Sequence, residues 1–95
     1  MAKFTTRVEL HSATEADYNV LHAAMEKEGF RRTIHLTDGP LFQLPTAEYN
    51  KSASLTTDQV LELAKKAAAT TKKKFGVLVT KADGVRAWFG LQPAE

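Results

Sequence analysis

The sequence predicts an α+β domain in the order strand, helix, strand, strand, helix, strand. Three observations carry that reading. Apolar residues alternate with period two over residues 3–11. Helical spacing takes over after residue 14 and again after residue 56, each time behind a capping signature. An Asp-Gly turn parts the two middle strands. At 95 residues, 43% hydrophobic and 25% charged, the chain has room for one small globular domain and is not a disordered segment. It has no cysteine, which excludes disulfides, thiol nucleophiles and cysteine-bound metal centres.

The first strand covers residues 3–11. Phe4, Thr6, Val8 and Leu10 share one face, and Lys3, Thr5, Arg7, Glu9 and His11 share the other. A capping box opens the first helix, either Ser12 with Glu15 or Thr14 with Asp17. Tyr18, Leu21, Ala24 and Met25 form its apolar stripe. Gly29 is the left-handed stop, and Phe30 folds back on the last turn. Residues 30–36 and 41–49 read as two strands around Thr37-Asp38-Gly39-Pro40. Pro45 removes a ladder donor, so a bulge is expected there. Residues 50–54, polar and small, read as a loop. Thr56 with Gln59 caps the second helix behind Leu55. Val60, Leu63, Ala64, Ala67 and Thr71 form its stripe, and Glu62 is set to pair with Lys66. Phe75–Thr80 is a continuous β-rich run, the mark of a strand buried on both faces or against a partner. Val85, Trp88, Phe89 and Leu91 make the tail apolar enough to pack on the core.

This order is the ferredoxin-like, split βαβ pattern. It implies a four-stranded antiparallel sheet with both helices on one face and the other face bare. The expected domain spans 1–95, with its core over about 3–81 and the tail 82–95 packed against it. No run approaches the roughly 18 apolar residues that a membrane span needs, and the first residues form no signal peptide. A cytoplasmic protein with no membrane partner is therefore expected.

The pieces Phe-Thr-Thr-Arg-Val-Glu-Leu (4–10), Gln-Leu-Pro-Thr-Ala-Glu-Tyr (43–49) and Leu-Thr-Thr-Asp-Gln-Val-Leu (55–61), set in this βαββαβ order, resemble the GhoS family. The resemblance runs over roughly residues 4–80. Its best-known member is the antitoxin of a type V toxin–antitoxin pair. The resemblance implies a ferredoxin-like fold, similar to that of CRISPR-adaptation nucleases, and an endoribonuclease that cleaves the messenger RNA of a small membrane toxin. Those nucleases end the first strand on a metal-binding Asp. Here that place holds Glu9-Leu10-His11. No catalytic residue is carried over from the family, and no cofactor is implied.

The residues themselves supply candidates for such chemistry. The net charge of +2 announces no nucleic-acid partner by itself, but it is unevenly spread. Residues 1–50 carry net −2 and residues 51–95 net +4, with Lys65, Lys66, Lys72, Lys73, Lys74 and Lys81 in a stretch free of acids. The Lys72–Lys74 run either neutralises phosphates of a single-stranded RNA or merely complements a helix dipole. Arg31 and Arg32 must point to opposite faces, so one of them reaches the bare face beside Arg7, where a guanidinium fork suits phosphate. Metal-independent RNA cleavage needs a base for the 2′-hydroxyl and an acid for the leaving oxygen. His11, His35 and Glu9 are the candidates, Glu48 a further carboxylate, and His22 reads as a helix-surface residue. The three histidines match no zinc spacing. Tyr49 stacks a base if it faces outward and belongs to the core if it does not. Trp88 and Phe89 suit a covered core edge or a dimer seam. The glycines form no phosphate loop, and no nucleophile elbow occurs. The alternative on the same fold is a non-catalytic module whose bare face docks a protein or pairs two copies into a homodimer.

Overall fold

The alternating N-terminal segment forms strand β1 (Ala2–Leu10) in the computed structural model, which describes residues 2–34, 40–82 and 90–91. Phe4, Thr6, Val8 and Leu10 are buried, while Lys3, Arg7 and Glu9 are exposed. Helix α1 (Glu15–Lys27) follows, then the short strands β2 (Thr33–Ile34) and β3 (Phe42–Gln43). Strand β4 (Glu48–Ala53), helix α2 (Thr57–Ala69) and strand β5 (Phe75–Ala82) complete the order. The molecule is α+β. Its main sheet has three antiparallel strands in the order β4–β1–β5, and β2 and β3 pair in a second, two-stranded sheet.

Opposed residues in a ladder point to the same face. Thr6 lies opposite Tyr49 and Val79, Val8 opposite Val77, and Leu10 opposite Phe75. Both helices pack on that face. Leu21 and Met25 from α1 and Val60, Ala64, Ala67 and Ala68 from α2 join Phe4, Val8, Leu10 and Tyr49 in one core. The Thr6 hydroxyl is buried there without a partner among the described residues.

Local chemistry sets the helix ends. At α1 the box is Thr14 with Asp17, and at α2 it is Thr56 with Gln59, each bonded in both directions. Gly29 stands at φ 88°, with its N–H on the Glu26 carbonyl and the Phe30 N–H on that of Met25. This paired reversal returns Phe30 to the core at 1% exposure. Lys51 Nζ then donates to the Glu28 carbonyl at 2.8 Å and lies 5.1 Å over the Phe30 ring.

Several expectations change. The predicted strand 41–49 divides, because Pro45 and the positive φ of Ala47 (77°) make a turn that the Glu48 N–H closes onto the Pro45 carbonyl. The strand proper then runs through 50–53, read above as loop, because β1 supplies a full ladder of partners there. Among the described residues the main sheet has three strands, and the segment before β2 joins it by the Arg31–Asn50 bridge while β2 itself pairs with β3, so a four-stranded sheet is not shown. Strand β5 alternates and is not buried on both faces: Gly76, Leu78 and Thr80 are exposed. Lys66 reaches Glu28 of α1 at 3.4 Å, and Glu62 pairs with Lys65 instead. The Asp38-Gly39 turn and the packing of Val85, Trp88 and Phe89 lie outside the described residues.

Candidate nucleic-acid interface

The helix-free face of the sheet is built by register. Lys3, Thr5, Arg7 and Glu9 of β1 stand on it, flanked by Glu48, Asn50 and Ser52 of β4 and by Gly76, Leu78 and Thr80 of β5. The Arg31–Asn50 bridge, with both backbone hydrogen bonds made, adds Arg31 to the row of Thr5 and Asn50. Arg7 Nη1 lies 3.4 Å from Glu48 Oε2, with the arginine side chain 61% exposed. That contact leaves most of the guanidinium to solvent, and an exposed pair of this kind is weak. Gly76 carries no side chain, so a shallow depression of about 210 Å³ opens between Glu9, Arg7 and Leu78.

One end of this face collects the titratable groups. The His11 N–H donates to the Lys74 carbonyl at 2.8 Å, which seats both residues just past Glu9 and Gly76. His11 Nε2 is 3.7 Å from Glu9 Oε1, and both side chains are exposed. Lys72 adopts φ 61°, and Lys73 Nζ reaches Asp17 Oδ2 at 3.7 Å across the N-terminus of α1. The Asp17 carboxylate is held below its ordinary range, first by the Thr14 backbone N–H and further by the Lys73 charge. The lysine run is thus divided. Lys73 ties two elements together, while Lys72 and Lys74 are exposed.

Two predicted RNA contacts lie elsewhere. Tyr49 is fully buried on the helix-covered face, so its ring cannot stack a base. Its parity with Thr6, set by β1 pairing, overrides the outward option. Arg32 turns to the helix side, opposite Arg31, and its Nε is buried. His35 lies outside the described residues. Sequence reasoning also missed a residue. His22 is half-buried and not on the helix surface, with Nδ1 2.6 Å from Tyr49 Oη. Burial and then the Arg32 charge lower its proton affinity, and burial keeps the Tyr49 phenol protonated far above its ordinary range. The signal available was spacing: His22 follows Tyr18 by four and Leu21 by one, at the border of the apolar stripe.

The basic groups that register brings together are therefore Lys3, Arg7 and Arg31, with His11, Glu9 and Lys74 at one end. No aromatic side chain stands on this face among the described residues. Among the described residues no helix is long and apolar enough to cross a membrane. The chain matches no protein-family model and no curated protein.

Proposed function

We propose that this chain is a ferredoxin-like βαββαβ protein that binds single-stranded RNA on its helix-free sheet face and cleaves it as a GhoS-like endoribonuclease. The observation that carries the reading is the register that sets Lys3, Arg7 and Arg31 on one exposed face, with Glu9 and His11 side by side at its end. Phosphate contacts, not stacked bases, supply the affinity, since such contacts position a strand without reading its sequence. In cleavage the Glu9 carboxylate accepts the 2′-hydroxyl proton, and the 2′-oxygen attacks the neighbouring phosphorus. Protonated His11 gives its proton to the departing 5′-oxygen, leaving a cyclic phosphate and a 5′-hydroxyl. His35 remains an alternative acid, and Lys72 and Lys74 extend the basic end.

The test uses labelled single-stranded RNA with and without EDTA, beside His11→Ala and the His11→Ala, His35→Ala double variant. Cleavage that survives EDTA and fails in the variants supports the mechanism. Cleavage abolished by EDTA turns the role of Glu9 and Glu48 to metal binding. Arg7→Ala and Arg31→Ala should each weaken binding and lower the slope of log affinity against log salt by about 0.7. Arg32→Ala should leave that slope unchanged on RNA with a 5′-hydroxyl end. Unaltered slopes in both face variants remove the RNA reading. The exposed Leu78 favours a second one, since a 64% exposed leucine on the β5 edge of this face suits a homodimer seam. Sedimentation of the wild type beside Leu78→Glu separates the two.

A further inference from the structure

On the helix side of the molecule, at the C-terminal end of α1, lies a cleft of about 450 Å³. His22, Glu26, Phe30, Arg31 and Arg32 are among the residues that line it. Arg32 is the unusual member. Its Nε is buried with no partner among the described residues, and it joins none of the ion pairs among them. Leaving a buried donor of a charged group unsatisfied is costly, and such positions in a cleft mark a place for an acceptor.

His22 is prepared for the same task. The Tyr49 phenol, kept protonated by burial, shares a hydrogen bond of 2.6 Å with Nδ1. In the tautomer in which the phenol donates, the ring hydrogen resides on Nε2, which is then a donor. Tyr18 flanks the ring at 6.4 Å between centroids, and Glu26 follows one turn along α1. Arg32 and Glu26 are the charged side chains of the lining on this side, since the bridge to Asn50 turns the Arg31 side chain to the helix-free face.

We propose that this cleft binds a phosphoryl group, held by the Arg32 guanidinium and the His22 Nε2–H, with the remaining volume taking the organic body that carries it. A planar guanidinium donates to two phosphate oxygens at once. The volume falls within the roughly 300–1,000 Å³ of small-molecule sites and exceeds what phosphate alone fills. The site is distinct from the helix-free face and stands independently of the RNA reading. A free phosphomonoester and the phosphorylated end of a strand present the same group.

The experiment is a nuclear magnetic resonance titration of the full chain at fixed ionic strength, following the Arg32 Nε–H and the His22 ring signals. Inorganic phosphate and adenosine 5′-monophosphate should shift both signals and raise the His22 titration midpoint. Adenosine should leave them in place. One short RNA with and without a 5′-phosphate tells a strand end from a free monoester, because a strand-end site responds to the phosphorylated form alone. Arg32→Gln should weaken phosphate binding by about tenfold or more. Arg32→Lys, which keeps the charge but loses the fork, decides the matter if the glutamine variant does not fold, and should also bind more weakly. Lys65→Ala, which removes a cation paired with Glu62 on the surface of α2, should bind like the wild type. Three results overturn the proposal: no shift with either phosphate compound up to about 10 mM, an equal response to adenosine, or undiminished affinity in a folded Arg32 variant.

Discussion

At the scale of single residues, the contact between His22 and Tyr49 joins α1 to the sheet through one hydrogen bond of 2.6 Å. Tyr49→Phe keeps the ring, which packs edge-on to Phe30 at 6.4 Å, and deletes only the hydroxyl. The half-buried Nδ1 then loses its partner, and unfolding in urea should show a loss of about 1–2 kcal/mol. The same histidine makes stability depend on pH. Its proton affinity is depressed in the folded state, so the unfolded chain binds more protons just below the ordinary value of 6.5. Stability is at its higher level above that value and falls as pH drops through the lowered folded value. His22→Gln should flatten this part of the profile. An unchanged slope between about pH 5 and 7, the range around and just below the ordinary histidine value, would contradict the assignment.

At the scale of elements, both helices begin with reciprocal capping boxes: Thr56 with Gln59 was plain in the sequence as a local signal, while at α1 the sequence left Ser12 with Glu15 and Thr14 with Asp17 open and the structure takes the second. Thr56→Ala removes the hydroxyl that accepts the Gln59 N–H at 3.1 Å, and a cost of about 1 kcal/mol is expected in thermal or urea unfolding. Thr14→Ala should cost more, because Asp17 also answers Lys73 of the loop before β5. The middle strands behave differently. Two-residue strands have little ladder of their own, and the Arg31–Asn50 bridge just before β2 ties this segment to β4.

At the scale of the whole molecule, charge and stability are carried by different parts. Every ion pair among the described residues has at least one partner whose side chain is more than a third exposed. Such pairs are screened and contribute little, while the core is apolar. Raising salt should therefore shift the folding free energy by less than about 1 kcal/mol. The RNA binding proposed for the helix-free face should fall steeply over the same range. A parallel collapse of folding and binding would show that the basic face is structural and not an interface.

Period, caps and punctuation were legible without the fold. The strand parity of residues 2–10, both helix starts, the Gly29 stop and the α2 stripe are each set by residues within four positions of one another. Local propensity and short-range hydrogen bonds suffice for that. The candidate faces were legible in part. Lys3, Arg7 and Glu9 share a side by parity alone, and Arg31 and Arg32 must diverge by the same rule. Which arginine faces which way depended on the Arg31–Asn50 bridge, a contact between residues 19 apart in sequence. The burial of Tyr49 depended on its register with Thr6, and the partnership of His22 depended on Tyr49. Those outcomes belong to the tertiary structure, because register and the loop closures behind it decide long-range pairing, and neither leaves a mark in the spacing of nearby residues.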